Sequence, residues 1–156
     1  MNHSIKKGFS FGLTSGIITT LGLLVGLYSS TNSAKVVIGG VLVIALADAL
    51  SDALGVHISE ESENHHSERE IWEATISTFV AKFVFAGMFI VPVLLFSLTT
   101  AVVFSIVFGL FLIALFSCYL AKIQGINKRG VVTEHLLIAI LVVVATYYIG
   151  VWVEKL

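Results

Sequence analysis

Apolar residues run from Gly8 to Ala34 without a single charge, and the same holds from Phe83 to Ala121 and from His135 to Val153. A helix needs about 20 such residues to cross the hydrocarbon of a bilayer, so each stretch holds one or two spans. Polar interruptions set the divisions. Tyr28-Ser29-Ser30-Thr31-Asn32-Ser33 reads as a turn, Ser97-Leu98-Thr99-Thr100 after Pro92 as a tight reversal, and Gln124 to Gly130 as a loop. The pattern predicts an all-α membrane protein of five transmembrane helices, at 8–28, 36–57, 74–96, 100–121 and 131–153. Residues 58–73 form a short acidic connection, and 1–156 make a single transmembrane domain.

Basic residues near the span ends orient the chain, because they concentrate on the cytoplasmic side. With the N-terminus inside, Lys6, Lys7, Arg69, Lys122, Lys128 and Arg129 are internal, and only Lys35 and Lys155 are external. The N-terminus and the 58–73 connection are therefore expected in the cytoplasm. No internal repeat is visible, so any symmetry a transport path requires has to come from a second copy.

Composition narrows the function classes. The chain is 57% hydrophobic and 12% charged, about half the charge of a soluble domain, which leaves little surface for soluble chemistry. There is no Gly-rich phosphate loop, no His-Glu-x-x-His pair, no Gly-x-Ser-x-Gly elbow and no basic aromatic surface for nucleic acid. The chain reads as no enzyme, with no prosthetic group and no nucleic-acid partner. Cys118 is the only cysteine, which excludes an internal disulfide and a thiolate cluster.

Against this background, Asp48 and Asp52 stand out in the second span. A charge at the centre of a membrane helix costs about 2.5 to 3.5 kcal/mol even on lenient insertion scales, so two of them mark a candidate site. If the second helix continues past Gly55, then Asp48, Ser51, Asp52, Gly55, Ser59 and Glu63 share one face, leading from the membrane interior to the cytoplasm. All its donor atoms are oxygens, which suit hard or borderline divalent cations. Two carboxylates one helical turn apart in a poorly hydrated site do not readily ionise together. Without a cation they are expected to hold a proton between them, so metal entry can be coupled to proton exit. The plainer reading is an ion pair. Lys82 lies as deep in the third span as Asp48 in the second, and can neutralise it, leaving Asp52 without a basic partner in the membrane.

The 58–73 connection carries six glutamates and two histidines, Glu60, Glu61, Glu63, Glu68, Glu70, Glu73, His65 and His66. Carboxylate with imidazole suits Fe(II), Mn(II) or Zn(II) better than Mg(II), although no spacing here is diagnostic and a charged run between spans is commonly a solvated cap. On the first span, Gly8, Gly12, Ser15, Gly16, Thr19 and Gly26 fall in a narrow arc, a face that lets backbones approach closely. It can serve packing within one subunit or association of two copies.

Several stretches resemble the vacuolar iron transporter family, five-span proteins that exchange divalent iron or manganese for protons. Gly12-Leu13-Thr14-Ser15-Gly16-Ile17-Ile18-Thr19-Thr20-Leu21-Gly22-Leu23-Leu24-Val25-Gly26 is similar to the family's first span, and Ser51-Asp52-Ala53-Leu54-Gly55-Val56-His57-Ile58-Ser59 to the end of its second. Ile71-Trp72-Glu73-Ala74, with Phe79, Gly87 and Pro92, resembles the third-span opening, and Ala145 to Gly150 the last span. The departures fall on the chemistry: Ser15 stands at the family's first-span aspartate, Asp52 at a methionine and Val56 at a glutamate. The cytoplasmic metal-binding insert is reduced to Glu60 through Glu73.

The resemblance implies a homodimer packed through the first helix and a proton-coupled exporter of Fe(II) or Mn(II) from the cytoplasm. Its membrane is the plasma membrane in a prokaryote and a vacuolar-type membrane in a eukaryote. The expected metal ligands are Asp52 and Asp48 within the membrane and Glu60, Glu61, Glu63, His65 and His66 at its entrance. Ser15, Thr19 and Ser59 line the path, and Lys82 has a structural or coupling role. The competing expectation is a membrane protein that transports nothing, its acidic loop binding a partner or a regulatory metal, with Asp48 and Lys82 a structural pair.

Overall fold

The computed structural model describes residues 3–63 and 65–156. It is helical, with no strand among the described residues: α1 His3–Thr31, α2 Ala34–Ser62, α3 Glu68–Gly87, α4 Ile90–Leu95, α5 Leu98–Gln124 and α6 Lys128–Val153. Five helical segments are long and apolar enough to cross a membrane, α3 and α4 together making one of them. Their number agrees with the five expected helices, and α2 does continue past Gly55.

Local chemistry fixes the ends. The connection expected over 58–73 is largely helix, because α2 runs on to Ser62 and α3 starts at Glu68. Ser67 caps α3, accepting from the Glu70 amide while the Glu70 carboxylate accepts from the Ser67 amide, a reciprocal capping box readable in Ser-x-x-Glu. Gly125, at φ 67°, ends α5 in the left-handed region that favours glycine, and the Asn127 side chain accepts from the Arg129 amide at the start of α6. The third span, expected to be continuous, breaks at Met88 and Phe89. Pro92 lacks an amide proton and its ring excludes the carbonyl four residues back, that of Met88, so the helix restarts at Ile90.

The chain forms two compact units. The first takes residues 1–20 and 39–90, that is, the beginning of α1, most of α2 and all of α3. Its core is built from small side chains. Gly8, Gly12 and Gly16, at every fourth position of α1, lie against the α3 backbone at Ala74, Thr78 and Lys82. A Cβ on Gly12 would stand 2.5 Å from the Thr78 carbonyl oxygen, and one on Gly16 3.0 Å from that of Lys82. These positions admit glycine because the two backbones nearly touch. The small-residue face of the first span is thereby used, at these three positions, for packing within the subunit. On α2, Ala45, Ala49 and Ala53 are buried at the same four-residue spacing, while Leu42, Leu46, Leu50, Leu54 and Ile58 form an exposed apolar stripe suited to lipid.

The second unit takes residues 21–38 and 91–156. Leu21, Leu24 and Val25 of α1 and Val37 of α2 are buried, as are Ala101, Val102 and Ile113 of α5. Gly109 receives the Leu21 side chain, and Gly150 lies against the Gly26 carbonyl. Its interior polar groups are hydroxyls rather than charges, with Ser117 bonded both to the Ile113 carbonyl and to His135 Nδ1.

Candidate functional site

The first unit gathers the intramembrane charges at one point. Helical spacing puts Asp48 and Asp52 one turn apart on α2, and the close contact of α1 with α3 brings Ser15 beside Lys82. Lys82 is 1% exposed. Its Nζ lies 2.6 Å from Asp48 Oδ2, pairs closely with Asp52 Oδ2, and donates to Ser15 Oγ at 2.9 Å. Ser15 in turn donates to Asp52 Oδ2 at 2.8 Å. The ammonium donates hydrogen bonds to Ser15 and Asp52 and stands as an ion pair with Asp48, so it meets three different residues. The cluster ties α1, α2 and α3 together.

Asp52 therefore does not lack a basic partner, as its sequence position suggested. One lysine serves both aspartates. The two carboxylates are therefore not bare, since one ammonium stands against both. Two carboxylates and one ammonium still leave one negative charge in excess.

At the end of the first unit where α1 begins and α2 ends, a second cluster forms. Glu60, 1% exposed, pairs with Lys7 through Oε1, and its Oε2 stands 3.6 Å from His66 Nε2. Glu63 meets His66 at 3.2 Å and Lys7 at 3.7 Å. Of the expected entrance residues, Glu60, Glu63 and His66 are thus brought together, whereas Glu61 and His65 are exposed and take no part in the cluster. Ser59 is exposed. The Thr19 hydroxyl is turned back onto the Ser15 carbonyl at 2.8 Å, within its own helix. Among the described residues, no three His, Cys, Asp or Glu side chains are arranged to hold a metal ion.

Two residues that sequence reasoning passed over belong here. Lys7 counted only towards orientation, yet α1 and α2 are antiparallel neighbours, so a residue preceding span one faces residues following span two. That alternation was the available signal. His57 is the other: its Nδ1 lies 3.0 Å from Thr75 Oγ1, and its ring stands edge-on to Trp72 at 4.8 Å. Because the Thr75 hydroxyl donates to the Ile71 carbonyl at 2.7 Å, Nδ1 is the donor to Thr75 and Nε2 faces away from this bond.

Comparison with known families now has a geometry to meet. Residues 7–72 match the model of the VIT family. That stretch runs from Lys7 through α1 and α2 to Trp72, and so includes Ser15, Asp48, Asp52, Glu60, Glu63 and His66. Over that stretch the chain is similar to the VIT family. The VIT family is a membrane metal transporter family rather than an enzyme family, and five apolar helices support an integral, multi-pass membrane protein. No curated protein and no solved structure matches the chain. Lys82, the residue that organises the buried cluster, lies beyond the matched stretch.

Proposed function

We propose that this chain moves a divalent cation, Fe(II) or Mn(II), out of the cytoplasm in exchange for protons, as a homodimer. The observation that carries this reading is the coincidence of the family match with both acidic clusters: Asp48, Asp52 and Glu60 of α2 and Glu63 just after it, all the carboxylates of both, lie within the matched stretch. Glu60, Glu63 and His66 gather the ion, with Glu61 and His65 adding negative potential and a spare imidazole nearby. Asp52 and Asp48 receive the ion within the membrane. Ser15, Thr19 and Ser59 line its course.

The two lysines determine how this can operate. At each cluster a tethered ammonium already holds the carboxylates, so an arriving cation must displace it. Lysine suits that role, since its charge sits at the end of a flexible four-carbon stem. A dimer would cover the exposed face of α2 that carries Ser51, Gly55 and Ser59, keeping polar groups from lipid.

A second reading is favoured by one specific observation, the contact of Lys82 with both aspartates. In this reading the buried cluster is a structural clamp, nothing is transported, and the entrance cluster alone binds a partner or a regulatory metal. Flux through the purified chain in liposomes separates the two, with metal and internal pH followed together. Transport predicts entry of Fe(II) or Mn(II) linked to proton movement and lost in Asp48→Asn/Asp52→Asn. No movement of Fe(II), Mn(II), Co(II) or Zn(II) under either direction of pH gradient refutes transport and leaves the clamp.

A further inference from the structure

In the second unit, Lys122, Lys128 and Arg129 gather at the tip where α5 turns into α6. The turn is short and closed. Gly125 ends α5, the Ile126 amide returns to the Ala121 carbonyl at 3.1 Å, and the Asn127 side chain starts α6, so the last turn of one helix and the first turn of the next carry their cations at the same tip. All three are exposed, and among the described residues none of them meets a carboxylate. From Leu98 to Thr133 the chain has no acidic residue, and Glu134 lies five and six residues beyond Arg129 and Lys128, off the third and fourth positions at which helical side chains pair. The end of the first unit where α1 begins is the opposite case. Lys7 and Arg69 are each paired with glutamate there, and the six glutamates from Glu60 to Glu73 outnumber the cations.

We propose that the α5–α6 tip binds the phosphate of an anionic phospholipid in the leaflet it faces. Charge complementarity selects an anion, and depth selects lipid as its source. α5 has 27 residues, about 40 Å at 1.5 Å per residue, against a hydrocarbon core of about 30 Å. About one turn remains beyond the hydrocarbon at each end, and Lys122, two residues before the end of α5, falls within it. Lys128 and Arg129 open α6, which at 26 residues has a similar excess. Tyr119, 54% exposed one turn further in, sits at the level where membrane aromatics gather. Ile123 and Ile126 are exposed on the tip itself, and the adjoining acyl region covers them while the lysine and arginine stems carry their charges outward. A soluble acidic partner would meet the same cations but would give the two isoleucines no cover. The ammoniums of Lys122 and Lys128 act as point charges, and the Arg129 guanidinium supplies the fork that matches phosphate oxygens. Such binding does not depend on transport.

Native mass spectrometry of the purified full chain, offered phosphatidylglycerol and phosphatidylcholine of matched acyl chains, tests it. Phosphatidylglycerol should be retained in preference. Lys122→Gln, Lys128→Gln and Arg129→Gln, all at exposed positions where folding is undisturbed, should each lower that preference about fivefold, the worth of one basic side chain at an anionic surface. The three together should abolish it. Lys128→Arg should keep it, and so should Arg69→Gln, whose guanidinium is already taken by Glu73. Equal retention of the two lipids, a preference that survives the triple variant, or one that falls as far with Arg69→Gln overturns the proposal. So does displacement of the lipid by inorganic phosphate or by a polyglutamate peptide at equal concentration, since the tip would then recognise a free anion or an acidic protein.

Discussion

Lys82 and Lys7 each hold two carboxylates, but one is buried at 1% exposure and the other has its side chain 45% exposed. Lys82 donates to Ser15 of α1 and Asp52 of α2 and forms an ion pair with Asp48 of α2. Lys7 shares its carboxylates with a histidine and can exchange them for water at any moment. The same charge arithmetic thus gives a clamp at one place and a loose closure at the other. What separates them is whether the ammonium has anywhere else to go.

The sharpest way to break that contrast is to delete the buried cation. Lys82→Met should lower stability in detergent by about 3 kcal/mol, the low end for removing one partner of a buried pair, because the aspartates keep some exposure. Adding Asp48→Asn and Asp52→Asn to that variant should recover most of the loss, since neutral groups need no counter-ion. Thermal unfolding followed by circular dichroism reads both. If the triple variant is as unstable as the single one, the cluster's role is packing by the lysine stem and not charge.

Next in size comes the helix contact that brings Ser15 to Lys82. Gly12→Ala puts a methyl 2.5 Å from a backbone oxygen and should cost about 2 kcal/mol through forced separation of α1 from α3. Gly55→Ala, with nothing within 4 Å of its Cβ, should be neutral or gain about 0.5 kcal/mol from the better helix former. Equal responses at the two glycines in the same unfolding assay would show that the α1 to α3 contact is less tight than described.

These contacts also explain what could be read in the chain beforehand. The spans were legible because lipid demands unbroken apolar runs, and the Ser67 cap because Ser-x-x-Glu is a local motif. The Asp48 and Asp52 face was legible from helical spacing alone. Their partner was legible only by depth, which matched Lys82 to Asp48. The second contact, with Asp52, depends on how far α3 is rotated towards α2, and rotation is set by Gly8, Gly12 and Gly16 pressed onto α3. That rotation has no sequence signature, since small residues serve a neighbouring helix and a second copy equally well. The break at Met88 was foreshadowed by Pro92, but a proline in a membrane helix leaves open whether it bends or stops.

The excess negative charge of the buried cluster offers a finer test. Ser15→Asp would put a carboxylate where the VIT resemblance expects one, raising the excess from one charge to two, which is the charge of the proposed cargo. Binding of Mn(II) to the purified chain, read by electron paramagnetic resonance, should tighten about tenfold, or 1.4 kcal/mol. Unchanged binding would mean that Lys82 is not displaced by metal, and would move the argument to the clamp.

The smallest effect is expected at the exposed lysine, and it separates the two clusters most cleanly. Lys7→Gln should cost about 1 kcal/mol or less, as for pairs open to water. Salt decides whether the reason is the one given. At 1 M ionic strength the Debye length falls to about 3 Å, so the difference between Lys7→Gln and the unaltered chain should vanish, while that of Lys82→Met persists. A Lys7→Gln penalty that survives high salt would mean that Glu60, buried at 1% exposure, locks its lysine as firmly as the aspartates do. The entrance cluster would then be a second clamp, and any ion passing it would have to open two closed sites in turn.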